Sequence, residues 1–333
     1  MRILSYLLYN IGALQIQYWR KSIRFQKLYY KKENINSSNE KNKLIYMADG
    51  RIDSGGLADR LFGIISLYKL CKEHNFIFKI NFCSPFNLED YFLPKYPWKC
   101  SSKDLIYSKA KSLPLIIFCS FKKYKVKLQL EAQLQQQYLE NQIKKNKNNK
   151  DLHIYTNAHW VITPQEYSTL FHELFTLDSR LQQAVNENKK KTGNNYIAIV
   201  LRFQNSLGDF AEADCKAIKE IEQKKLIEKC KKKILDLHSN SHPNSIFLVT
   251  SDSSKFLESL ADLEFVRTIS GRVVHMSYTL EKDYNLHLKS FIDLIMLSEA
   301  DKIYLLVTNY MYHSGFAQSA SFINNKEYQE IFF

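Results

Sequence analysis

At 333 residues, with 45% hydrophobic and 24% charged side chains, the chain is long enough for a sizeable core and too apolar for a disordered class. Lys and Arg number 47 against 34 Asp and Glu, a net charge of +13 that favours anionic partners without choosing among nucleic acid, an acidic membrane face and a phosphorylated substrate. No uninterrupted apolar run reaches the ~20 residues of a membrane span. The six cysteines (Cys71, Cys83, Cys100, Cys119, Cys215 and Cys230) form no Cys-x-x-Cys pair, which leaves out a zinc ribbon or redox motif and suits free thiols in a reducing compartment.

Residues 1–43 open with apolar, aromatic and basic side chains, Leu4 to Leu14, then Trp19-Arg20-Lys21 and Arg24, and end in a polar linker. The pattern predicts an amphipathic helix over 1–25, resting on anionic lipid through its basic flank or packed on the protein's own core. The corresponding expectation for the cell is a cytoplasmic protein, peripheral at the inner face of the membrane. From 44 to 163 the runs 44–48, 76–82, 113–118 and 152–158 read as strands. The positions Leu57, Leu61, Ile64, Ile65 and Tyr68 mark one face of a helix after the first of them. A Gln- and Lys-rich stretch, 122–150, reads as a surface insertion. Helices near 164–175 and 178–189 form a connector at 164–190. From 191 to 333, strands at 196–201, 246–250, 265–269 and 302–307 alternate with helices at 214–237, 253–260, 288–300 and from Gly315 onward. Continuous apolar strands between helices argue a parallel, doubly wound sheet. The fold class is therefore α/β, with two Rossmann-like domains facing a cleft, the glycosyltransferase-B arrangement.

Ligands of such sheets gather beyond the carboxyl ends of the strands, so the residues there are the candidates. After the first strand comes Asp53-Ser54-Gly55-Gly56-Leu57-Ala58-Asp59-Arg60-Leu61. Its glycines allow close backbone approach and its helix start offers free N–H groups to an anion, although a strand-to-helix turn needs glycine for steric reasons too. After 197–201 comes Arg202, able to grip phosphate through two parallel hydrogen bonds or to pair with Asp209 or Glu212. After 247–249 come Thr250-Ser251-Asp252-Ser253, where Asp252 can accept from a guanine edge or a ribose hydroxyl, or cap the next helix. After 302–307 come Thr308-Asn309 and then His313-Ser314-Gly315-Phe316, whose amides can cradle a pyrophosphate or simply begin a helix.

In their order these segments resemble the fucosyltransferase superfamily, which includes the bacterial nodulation α1,6-, the α1,2- and the protein O-fucosyltransferases. The first domain of that family opens on Gly-Gly-Leu-Gly-Asn/Asp-Arg/Gln-Leu, and here Ala58 stands where many members have glycine. The second carries His-x-Arg, Thr/Ser-Asp-Asp/Ser, an Asp before Leu-Ser-x-x-Asp, and Ser-x-Phe or Ser-Gly-Phe. Their counterparts are Val200-Leu201-Arg202, Thr250-Ser251-Asp252-Ser253, Asp293 with Leu297-Ser298-Glu299-Ala300-Asp301, and Ser314-Gly315-Phe316; Val200 replaces the histidine. The resemblance implies transfer of fucose from GDP-fucose to a glycan hydroxyl, in surface polysaccharide or glycoconjugate synthesis, with inversion. Gly55, Gly56, Arg60, Arg202, Thr250, Asp252, Ser314, Gly315 and Phe316 then bind the donor. Asp53, Asp59 and Asp209 are the candidates for general base, each also readable as a turn or capping residue.

No Asp-x-Asp metal motif follows a strand, so no metal or bound cofactor is expected, and Arg202 with the helix dipoles must carry the leaving charge. Donor, glycan acceptor and an anionic membrane surface are the expected partners, and nucleic acid is not. The rival readings are the same fold using another nucleotide sugar and a non-catalytic basic protein that binds RNA or lipid.

Overall fold

Alternation of apolar strands with one-sided helices builds two α/β units. The computed structural model describes residues 20, 22–30, 42–118, 128–147, 149–157, 160, 162–210, 215–271, 273–274, 276 and 281–333. One unit comprises Met1–Asn87 and Pro94–Phe175, the other Leu88–Leu93 and Thr176–Phe333. The division after Phe175 falls between the two helices of the connector. Among the described residues, no helix is long and apolar enough to cross a membrane.

The strands are β1 (Lys43–Ala48), β2 (Ile77–Phe82), β3 (Phe92–Pro94), β4 (Ser112–Ile117), β5 (Asp151–Thr156), β6 (Phe175–Leu177), β7 (Ile197–Leu201), β8 (Phe247–Ser251), β9 (Val266–Arg267), β10 (Lys302–Val307) and β11 (Glu327–Phe332). The helices are α1 (Leu57–His74), α2 (Leu128–Asn146), α3 (Pro164–Leu174), α4 (Ser179–Thr192), α5 (Glu220–Ser239), α6 (Ser254–Glu258), α7 (Tyr284–Glu299) and α8 (Gly315–Ile323).

In the first unit the sheet order is β2-β1-β5-β4, all parallel. Every residue of β1 and β5 is buried, as expected of central strands covered on both faces. The order reverses between β1 and β5, so their carboxyl ends form a switch point. Helix α1 comes unusually close to it. A Cβ at Gly63 would lie 2.6 Å from the Thr156 carbonyl oxygen and 3.1 Å from a Tyr46 ring carbon. Gly63→Ala must therefore push helix and strand apart, and a cost of about 1–3 kcal/mol is expected in urea unfolding. An unchanged midpoint would show that α1 has slack against β5.

The other end of β1 holds a buried charge. Lys43 Nζ pairs with Asp104 Oδ1 at 3.0 Å, with none of the lysine side chain exposed. Asp104 Oδ2 accepts from the amide and hydroxyl of Ser101 at 2.8 and 2.6 Å. The Lys43 amide donates to Asp151 at the start of β5, at 2.9 Å.

One expectation is corrected here, and another falls mostly outside the described residues. The described part of 122–150 is not a surface insertion: α2 lies in the crossover between the paired strands β4 and β5, and it buries Ala132, Gln135, Leu139 and Ile143. Its exposed glutamines and lysines disguise a buried stripe at helical spacing, three of whose four members are apolar. Of the N-terminal segment, residues 1–19 lie outside the described residues, but 22–29 are helical and pack on the first unit's own core. Phe25 meets the Tyr155 ring at 5.1 Å, Tyr29 bonds His153, and the Tyr30 hydroxyl donates to the Ser112 carbonyl at 2.8 Å.

The second unit orders its strands β11-β10-β7-β8-β9, all parallel. From β7 the chain builds outward through β8 and β9, then returns through α7 to β10 beside β7. The switch point therefore lies between β7 and β10. Strand β11 did not stand out in the sequence. The segment Leu88–Leu93 belongs to this unit: the Tyr91 ring stacks on Phe291 and Tyr284, at 3.9 and 4.7 Å between centroids, and its hydroxyl donates to the Tyr284 carbonyl at 2.7 Å. Both units are Rossmann-like, as the strand and helix alternation predicts.

Candidate functional site

At the switch point of the second unit the apolar run of β7 ends and Arg202 begins the loop. Its side chain is 16% exposed, and its guanidinium lies 4.5 Å over the Phe210 ring. Nη1 meets Asp252 Oδ2 at 3.1 Å, so Asp252 is an ion-pair partner of Arg202; Glu212 lies outside the described residues. Asp252, just past β8, also accepts from the amides of Phe203 at 2.8 Å and Gln204 at 2.7 Å. Burial pushes its carboxyl up to about 6, against the pull of Arg202 and the two amides. With the Ser251 hydroxyl at 3.4 Å, four donors hold this carboxylate, so Asp252 fixes the loop and the arginine.

The next loop of the sheet reaches the same place. The Tyr312 amide donates to the Arg202 carbonyl at 2.9 Å, and the Ser206 hydroxyl donates to the Tyr310 carbonyl at 2.7 Å. Two residues beyond Tyr312, Ser314 caps α8 by accepting from the Phe316 amide at 3.2 Å. Nothing lies within 4 Å of a Cβ built at Gly315, which leaves the helix start open to approach. One arginine and one helix N-terminus, on loops tied by these two hydrogen bonds, thus stand at one sheet edge. That is a pairing of charge and dipole suited to an anionic phosphate.

Other candidates named from the sequence are engaged in contacts of their own. Thr250 is buried within β8, paired in register with Val200. Asp209 Oδ2 accepts from the Ser253 hydroxyl at 2.8 Å and the Lys255 amide at 2.9 Å, which makes it a cap of α6. Its Oδ1 is buried and meets no donor among the described residues. In the first unit the glycine turn is closed on itself. The Gly55 amide donates to Asp53 at 2.9 Å and the Gly56 amide to Asp59 at 3.1 Å. Gly55 has φ +75°, and a Cβ there would come within 2.6 Å of the Asp59 carboxylate, so glycine is required by the turn itself. Arg60 is buried, donating to the carbonyls of Gly55 and Ser84 at 2.9 and 2.6 Å and lying 4.9 Å over the Phe82 ring. These residues form a local lock, with their amides already satisfied by carboxylates.

Two residues that the sequence offers only as turn formers stand at the first unit's switch point. Asp49 accepts from the Tyr155 hydroxyl at 3.1 Å and meets Arg51 Nε at 3.4 Å, while Arg51 lies 4.5 Å over the Tyr107 ring. Their place directly after β1 was the available signal. His153 beneath them is driven down to about 3 by burial, with Arg51 and Lys43 adding to it, and so is neutral. Among the described residues, no group of three His, Cys, Asp or Glu side chains could hold a metal ion.

No protein-family model matches the chain, and no curated protein matches it in sequence. Solved structures do match in shape. The NodZ α1,6-fucosyltransferase soaked with GDP-fucose superposes with a TM-score of 0.55 at 11% identity, over 85% of this chain and 93% of that one. NodZ from Bradyrhizobium gives 0.54 at 11%, over 85% and 92%. A mutant of Arabidopsis thaliana FUT1 in complex with GDP gives 0.52 at 14%, over 99% and 79%. The chain has the fold of these fucosyltransferases. The order of motifs read from the sequence and the fold therefore point to one architecture. In this fucosyltransferase fold the residues brought together are Arg202 and Ser314–Phe316, with Asp252 behind them.

Proposed function

We propose that the protein is a metal-independent, inverting glycosyltransferase that moves fucose from GDP-fucose to a glycan hydroxyl. The observation that carries this reading is Arg202, locked by Asp252 at the switch point beside the open start of α8. In the reaction the acceptor oxygen attacks the anomeric carbon as the bond to the β-phosphate oxygen breaks. GDP leaves with the bonding pair, and the acceptor proton passes to a base. Charge grows on the diphosphate in the transition state, where a planar guanidinium and helix amides lower the barrier most. The fold of NodZ and FUT1, whose structures were obtained with GDP-fucose or GDP, supports the choice of a guanosine donor.

The test is a panel of nucleotide sugars in thermal unfolding, followed by donor turnover. GDP-fucose and GDP should raise the midpoint and UDP-sugars should not, since a ligand of the folded state alone stabilises it. Turnover should survive excess EDTA. Protection by another nucleotide sugar instead would keep the fold and change the donor. Activity abolished by EDTA and restored by magnesium or manganese would overturn the metal-independent mechanism.

A further inference from the structure

Few large apolar side chains stand exposed among the described residues, and two of them share one short loop. Tyr310 and Tyr312 are 50% and 51% exposed, in the turn between β10 and α8. The turn is not loose. The Met311 amide donates to the Thr308 carbonyl at 3.1 Å and the Tyr310 amide to the Thr308 hydroxyl at 3.3 Å. Met311 between them is buried, its sulfur 4.0 Å from Cys230 Sγ. The carbonyl of Tyr310 and the amide of Tyr312 are bonded to the loop that carries Arg202. One buried anchor and four hydrogen bonds, two of them between backbone groups and two through the Thr308 and Ser206 hydroxyls, therefore fix the turn that carries the two exposed rings at the ligand-bearing edge of the sheet.

We infer that Tyr310 and Tyr312 form a stacking platform for sugar rings of the glycan acceptor. The inference rests on the glycosyltransferase reading above. Half-exposed tyrosine suits a pyranose, whose C–H face is apolar while its hydroxyls stay at the rim and in water. Two such rings in one turn suit successive sugars of an oligosaccharide, whereas the donor carries a single sugar. The Tyr312 amide, bonded to the Arg202 carbonyl, sets the platform beside the residue read above as the diphosphate grip. Binding residues on loops held by a rigid scaffold are the usual arrangement.

The experiment uses the full chain on a printed array of hexose, N-acetylhexosamine and deoxyhexose oligosaccharides, with GDP protection against unfolding measured in parallel. The parent should bind a subset of the array. Tyr310→Ala/Tyr312→Ala should lose about tenfold in affinity for that subset. The double Phe variant should retain binding, because it keeps both rings. GDP protection should be equal in all three proteins. Array binding unchanged in the double Ala variant, or absent in the parent, overturns the platform. Loss of GDP protection in the double Ala variant also overturns it, because the rings would then serve the nucleotide. A parent that GDP does not protect refutes the donor reading itself, separately from the array result.

Discussion

Replacing Arg202 by alanine is expected to lower sugar transfer about 100-fold and to destabilise the second unit. The first effect follows from removing one charged donor to a leaving group, comparable to about 3 kcal/mol of transition-state stabilisation. The second follows from Asp252, whose side chain is 1% exposed and would keep its burial while losing its cation. Stranding a buried charge in this way costs about 3 kcal/mol. The pH dependence has a definite sign. Burial raises the folded carboxyl of Asp252 to about 6, above its unfolded value of about 3.9. Protonated Asp252 is thus favoured by folding, and that contribution is lost as pH rises through 6. Without Arg202 the carboxyl rises further, so the stability gap to the parent should be wide at pH 8 and narrow at pH 5. Adding Asp252→Asn should recover stability at pH 8 without restoring transfer. Arg202→Lys keeps the charge and loses the planar fork, and should fall between parent and alanine in turnover. Near-parental turnover in a folded Arg202→Ala protein would move the diphosphate grip elsewhere.

Asp104→Ala should cost about 3 kcal/mol or more in chemical unfolding while leaving nucleotide binding intact. It removes the carboxylate from Lys43 Nζ, which stays fully buried. The pair sits at the amino end of β1, and that six-residue strand spans about 20 Å to its ligand-bearing end. Burial opposes ionisation of Asp104, but the Ser101 hydroxyl and amide and Lys43 outweigh it and hold the carboxyl below the usual range. Its contribution is therefore present above the unfolded value of about 4 and fades as the solution is acidified through the folded one. A variant as stable as the parent would mean that Lys43 finds water or another acceptor on relaxation.

Strands β7, β8 and β10 of the second unit were legible because each is a continuous apolar run leading into polar residues. Val200-Leu201-Arg202 and Val307-Thr308 announce both the sheet and its edge. What escaped was pairing. Arg202 and Asp252 are 50 positions apart, and no periodicity links them. The glycine turn shows the same limit at short range. Asp53 and Asp59 beside Gly55 and Gly56 suit an anion cradle or a self-satisfied turn equally well, and only the hydrogen bonds decide. Strand β11 was missed because Glu327, Gln329 and Glu330 on an exposed edge dilute its apolar signal. Helix α2 was misread because its lysines and glutamines outnumber its three buried apolar side chains, Ala132, Leu139 and Ile143.

The stacking of Tyr91 in the second unit bears on how the chain can be made and cut. Leu88–Leu93 is translated well before the Tyr284 and Phe291 rings it meets, and the first unit is itself complete only at Phe175. Neither unit is one continuous stretch of gene. A fragment starting at Thr176 would lack Tyr91 and bare two aromatic faces, and a fragment ending at Phe175 would carry the strap with nothing to clasp. The two halves are thus interleaved in order of synthesis, and a nascent chain must keep this six-residue strap unclasped until the last third of the protein has emerged.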